Sequence, residues 1–181
     1  MTIKPTKISG FYEIESDVHE DDRGIFTQWF TQYMHEDLIG KFEPVQANTS
    51  TSKQGVIRGI HYSTSRNGQS KLVICVAGKV RDVVVDIRKD SKTFGQHHVV
   101  ELEAGSGKAV FIDVGLGHSF EVLSESATIV YLLSSKYSKF FEKEINPLDK
   151  DLNIDWVTDS PILSEKDRNA ESFKEFATRK G

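Results

Sequence analysis

The 181-residue sequence has a single cysteine, Cys75. It has no partner for an intramolecular disulfide or a multi-cysteine metal site, and its place in the apolar run Leu72 to Ala77 marks it as buried filler. No apolar run approaches the roughly 20 residues that a membrane-spanning helix needs, so no membrane partner is expected. The segment Met1 to Phe11 lacks a basic region leading into an apolar core, so no signal peptide is expected and the cytoplasm is the default location. Positive charge is also scarce. With 23 basic against 27 acidic residues the net charge is −4, which gives no global field for nucleic acid, so an anionic ligand must be met by a local cluster of cations. Internal repeats, low-complexity tracts and linkers are missing too, and at this length a single domain over residues 1–181 is expected.

What the sequence does contain is a succession of short apolar runs from Phe26 to Leu133, punctuated by Gly, Asn, Ser and Lys. The pattern predicts strands at Gly24–Phe30, Val45–Thr51, Val56–His61, Lys71–Val76, Arg81–Ile87, His97–Leu102, Ala109–Asp113, Ser119–Leu123 and Thr128–Leu133. Strands in that number suit an all-β jelly roll. Ala77-Gly78-Lys79 reads as a hairpin turn and Gly105-Ser106-Gly107 as another. Helical spacing is confined to Thr31 to Ile39 and to the tail from Ser164, where Ser164 and Asp167 form a capping-box-like start. The charged stretch Lys136 to Asp159 is expected to wrap the barrel.

Several residues stand out chemically. Arg58-Gly59-Ile60-His61-Tyr62 combines a cation, a glycine and an imidazole whose unperturbed pKa of about 6.5 suits a general base. Strict alternation puts Arg58 and His61 on opposite faces, so both reach one pocket only if the strand is irregular near Gly59. Without that irregularity they read as a surface arginine and a structural histidine. Lys71 opens an otherwise apolar strand. Facing inward it would suit an oxyanion, and on sequence alone a strand-end lysine reaching solvent is the commoner case. Ala127, Ile129, Tyr131 and Leu133 share a face, placing one phenol on an apolar surface. His118 follows two glycines in Gly115-Leu116-Gly117, which bring backbone close to whatever the histidine contacts, although an exposed turn fits equally well.

In the run Val80 to Arg88, Val83, Val85 and Ile87 share one face and Asp82, Asp86 and Arg88 the other. Acids so placed read as a solvated face, outside any site. A metal-binding cupin needs two histidines one residue apart with a downstream glutamate and a further histidine. Here His61 is followed by Tyr62 and Ser63, and His97 and His98 point to opposite faces, so no metal is expected.

Taken in order, a set of motifs resembles the dTDP-4-dehydrorhamnose 3,5-epimerase family over about Asp21 to Asp167. The set comprises Asp22-Arg23-Gly24-Ile25-Phe26, Gln46-Ala47-Asn48, Gly55-Val56-Ile57-Arg58-Gly59-Ile60-His61-Tyr62, Lys71-Leu72-Val73 and Asp82 to Arg88 with Ser91 to Gly95. Gly117-His118-Ser119-Phe120 and Leu163-Ser164-Glu165-Lys166-Asp167 complete it. The resemblance implies a cupin-type jelly-roll barrel, with short peripheral helices and a C-terminal extension. It implies an isomerase that moves protons at C3, C5 or both of a dTDP-4-keto-6-deoxyhexose, without cofactor or metal. In that scheme His61 is the base held by Asp167, Tyr131 the acid and Lys71 the stabiliser of the enolate oxygen. Arg23, Arg58, His118 and Lys166 surround the diphosphate, and Phe26, Gln28, Gln46, Asn48, Tyr137 and Glu142 help to hold nucleotide and sugar. A homodimer with N-terminal strand exchange is also implied, and Ile8, Phe11 and Ile14 ahead of the barrel need cover.

The sequence departs from the family pattern at Gln28 (usually Glu), Ala47 (usually Asp), Thr49 (usually His) and Leu132 (commonly Lys). Val114 to His118 and Tyr131 to Tyr137 look like the subgroup of antibiotic deoxysugar pathways, some of whose members act mainly on one carbon. Two other readings compete. A 3,4-ketoisomerase on a similar barrel is opposed by the set Lys71, Tyr131 and Asp167, and a noncatalytic sugar-nucleotide binding module would need no base and acid across the sugar.

Overall fold

The computed structural model describes residues 1–31 and 42–179. Two antiparallel sheets dominate it. One has the spatial order β1 (Thr2–Pro5), β2 (Phe11–Glu15), β10 (Lys108–Ile112), β7 (Lys71–Ala77), β12 (Ser126–Leu133) and β5 (Gln46–Lys53). The other runs β13 (Glu142–Glu144), β6 (Ile57–Ser63), β11 (Leu116–Val122), β8 (Lys79–Asp86) and β9 (His97–Glu103). A separate hairpin joins β3 (Val18–Asp21) to β4 (Gly24–Thr27), and short helices α1 (Glu165–Arg168) and α2 (Phe173–Thr178) follow the barrel. This is the expected all-β jelly roll.

Alternation along the strands explains the packing. On β7, Val73 and Cys75 join Val84 of β8, Phe120 of β11 and Ile129 of β12 in the cluster between the sheets, while Leu72 and Ile74 turn to the outer face beside Ile14 and Phe111. Lys71 shares the parity of Val73 and so begins inside the barrel. Each fully buried aliphatic or phenylalanine side chain contributes about 1.5–3 kcal/mol relative to exposure. On β8 the inward face carries Val80, Asp82 and Val84, and the outward face carries Val83 and Val85. The more apolar face is therefore the outer one. Ile145, Leu152 and Phe176 cover it, so the stretch after Lys136 wraps the barrel as expected.

The predicted strands are present with ends shifted by a few residues, most at β4, which ends at Thr27, and at β11, which starts at Leu116. Strands β1, β2, β3 and β13 were not foreseen. The cover that Ile8, Phe11 and Ile14 need comes from this chain itself: β2 pairs with β10, and all three are fully buried. Residues 32–39 of the helix expected from Thr31 lie outside the described residues. At the other end, Ser164 caps α1 by accepting from the Asp167 N–H, as the sequence suggests.

Candidate active site

One mouth of the barrel holds a cavity of about 370 Å³. Its walls come from both sheets and from α1. His61 and Arg58 of β6 both line it, which strict alternation forbids. The irregularity is real: His61 pairs with His118 and Arg58 with Phe120, so two residues of β6 oppose only Ser119 of β11. Gly59 occupies the bulge at φ +109°, where a Cβ would lie 2.4 Å from the His118 carbonyl oxygen. Only glycine fits that position.

Asp167 reaches His61 from α1. The His61 Nε2 lies 2.7 Å from Asp167 Oδ1, and the Ser164 hydroxyl donates to Oδ2 at 2.8 Å. Burial pushes the Asp167 carboxyl up, but the bonds from His61, Ser164 and the Gly59 N–H outweigh it and hold the group below its ordinary value. With Nε2–H donating to the carboxylate, Nδ1 becomes the basic nitrogen of His61.

His118 forms a second dyad. Its Nε2 lies 2.7 Å from Oδ2 of Asp82, which is 0% exposed, while Asp82 Oδ1 has no hydrogen-bond partner among the described residues. The reading of Asp82 and Asp86 as a solvated face is thus wrong. Their side of β8 faces the barrel interior because the C-terminal wrap covers the other side. Asp86 is a structural anchor, bonded by Arg88, Ser91 and Thr93. Asp82 belongs beside the site, and the signal was its parity with Val80 and Val84.

Lys71 is 7% exposed and lines the cavity, so it is not the solvent-reaching lysine that strand-end position alone favours. Burial lowers its pKa, and the charges of Glu142 and Asp82 only partly oppose that. Tyr131 enters from β12 in the opposite sheet, with Ile129 and Leu133 beside it on the same face. Asn48, Tyr137, Glu142 and Lys166 also reach the cavity, together with Ser50 and Gln69, which no motif or periodicity marks out. Gln46 stands just outside, donating to Asn48 Oδ1 at 2.9 Å and accepting from the Tyr137 N–H at 2.8 Å. The Lys166 ammonium is 2.7 Å from Glu144 of β13, another residue the sequence reading passed over. Burial lowers the Lys166 pKa, but its bond to Glu144 and that carboxylate's charge outweigh it and the net shift is upward. Arg58 donates to Ser52 at 2.9 Å.

Besides Gln46, three expected residues are not in this cavity. Arg23, Phe26 and Gln28 lie on or just after the β3–β4 hairpin; Arg23 is bonded to Asp21 with its side chain 89% exposed, and Phe26 is 67% exposed. Histidines 97 and 98 point apart, as alternation requires: His98 contacts Glu13 at 3.2 Å, and His97 is bonded to backbone at Leu152.

A half-buried imidazole on one sheet, paired with a buried carboxylate from α1, and a phenol on the other sheet can remove and return a proton on opposite sides of a bound molecule, with Lys71 placed for charge that develops between them. The barrel and its cavity define a cupin-type isomerase. The chain belongs to the dTDP-4-dehydrorhamnose 3,5-epimerase family, whose model matches residues 5–175. It is 43% identical to a dTDP-4-dehydrorhamnose 3,5-epimerase of Shigella flexneri over 96% of each chain. Among solved structures it is similar to NovW, a 4-keto-6-deoxy sugar epimerase from the novobiocin biosynthetic gene cluster of Streptomyces spheroides. There the TM-score is 0.94 at 40% identity, covering 97% of this chain and 88% of that one. It is also similar to ChmJ, a 3'-monoepimerase from Streptomyces bikiniensis in complex with dTDP-quinovose. That match has TM-score 0.90 and 41% identity over 94% of this chain and 87% of that one.

Proposed function

We propose that this chain epimerises a dTDP-4-keto-6-deoxyhexose at C3, C5 or both. The observation that carries the reading is the disposition of His61, paired with Asp167 of α1, and Tyr131 on opposite sheets around one cavity that also holds the buried Lys71. A C4 ketone acidifies the protons on its neighbouring carbons. His61 takes one of them, and Asp167 stabilises the imidazolium that forms. The negative charge moves to the ketone oxygen, where the Lys71 ammonium contributes about 3 kcal/mol in a site shielded from water. Tyr131 then delivers a proton to the opposite face, which inverts the carbon.

Arg58, His118 and Lys166 supply the local cations for the diphosphate that the net charge of −4 lacks. Gln46, Asn48, Tyr137 and Glu142 hold nucleoside and sugar. The working unit is a homodimer in which the β3–β4 hairpin of one copy carries Arg23, Phe26 and Gln28 to the cavity of the other. Two features support this: the hairpin exposes Ile25 and Phe26, and the outer face of the six-stranded sheet leaves Trp29, Phe30, Val130 and Leu132 only partly buried. One domain spans residues 1–181, and it acts in the cytoplasm.

Incubation with dTDP-4-keto-6-deoxyglucose in D₂O tests the reading. Deuterium at C3 or C5, with product of inverted configuration, is expected; unlabelled, unchanged substrate would overturn it.

A further inference from the structure

A second cavity, of about 650 Å³, lies between the loop after β6 and the loop after β12. It adjoins the catalytic cavity, and Gln69, Tyr137 and Glu142 line both. Its frame is braced by bonds between the loops. The Gln69 amide donates to Ser135 O at 3.1 Å and Oγ at 3.2 Å, the Ser135 hydroxyl donates to Gly68 O at 3.3 Å, and Thr64 N donates to Phe141 O at 2.8 Å.

The frame's polar groups are thus bonded to one another, whereas three exposed groups that line the space are not. Arg66, Lys136 and the Asn67 amide line the cavity, and none has a hydrogen-bond or ion-pair partner among the described residues. Glu142 is the one acid lining it among those residues.

We propose that this second cavity binds a phosphate-class anion between Arg66 and Lys136, with Asn67 and the Ser138 hydroxyl as neutral donors. Two unpaired cations match a group that carries between one and two negative charges near neutrality, and the guanidinium fork matches its oxygens. Lys71, Arg58 and the catalytic dyads take no part in it.

The test is a titration of ¹⁵N-labelled protein with inorganic phosphate at ionic strength held constant with chloride. Saturable amide shifts are expected across residues 64–69 and 134–138. They persist in Arg58→Ala, and the apparent Kd rises about tenfold or more in Arg66→Ala/Lys136→Ala, as loss of charge-assisted bonds requires. Arg66→Gln, which keeps hydrogen bonding without the charge, weakens binding to an intermediate degree. Unaltered amide positions along β7 show that every variant is folded, and retained turnover is expected of the Arg66 and Lys136 variants alone. Shifts that fail to saturate, that survive the double variant, or that vanish with Arg58→Ala would overturn the proposal.

Discussion

His61 and Asp167 are 106 residues apart in the chain, and their side chains meet at 2.7 Å. A bulge at Gly59 turns His61 into the cavity, and the Ser164 cap of α1 fixes Asp167 against it. The carboxylate is held ionised despite burial, so it can orient the imidazole and stabilise its protonated form.

Asp167→Asn keeps the shape but removes that charge. Turnover is expected to fall about 10²–10⁴-fold. The pH dependence follows from the lowered Asp167 pKa: the stability that the carboxylate contributes is present above its ordinary value of 3.8 and is lost as pH falls through the lower folded value. The melting-temperature gap between wild type and variant should therefore narrow as pH drops below 3.8, which thermal melts at neutral and acid pH will read. A constant gap would show that the charge is not what links the residue to stability.

Lys71 offers a second test. Lys71→Met should lower kcat about 10²–10³-fold, the scale of losing one preorganised charge at an oxyanion. Because burial lowers its pKa from 10.5, the cation is lost earlier than on an ordinary lysine as pH rises. The basic limb of kcat/KM should fall below that pH and remain in the deuterium-exchange profile of Tyr131→Phe. Unchanged kcat in Lys71→Met would remove the residue from the chemistry.

Much of this site was legible in the sequence because its parts are local. Arg58-Gly59-Ile60-His61 announced the need for an irregular strand, and the odd parity of Ile129, Tyr131 and Leu133 fixed the phenol's face. What failed was the inference that the polar face of β8 is the wet one. Covering by a distant segment decides that, and no local period reports that Ile145 and Phe176 will lie over Val83 and Val85. The same limit applies to β1 and β2, whose mixed polar and apolar residues show no strong period but find a ready edge at β10.

Tyr131→Phe should separate proton removal from inversion. Without the hydroxyl the enolate still forms and is reprotonated from the side it lost its proton, giving isotope washout with little inverted product. Inversion at the wild-type rate would remove Tyr131 from the acid's role.

The hairpin residues call for a test of shared sites. Arg23→Ala and His61→Ala homodimers should each be impaired. Subunits exchanged between them should recover up to about a quarter of wild-type activity, since about half of the random dimers are mixed and each has one intact site. Light scattering should give twice the monomer mass of 20.4 kDa at micromolar concentration. A monomer, or no recovery on mixing, would count against strand exchange at the site.

The central claim is that His61 removes the proton beside the ketone, and position-resolved NMR of deuterium uptake tests it most directly. Wild type in D₂O should label C3, C5 or both, which also identifies the carbon or carbons inverted, while His61→Ala should leave each labelled position at background. Exchange at the wild-type rate in His61→Ala, in folded protein that still binds dTDP, would contradict the account.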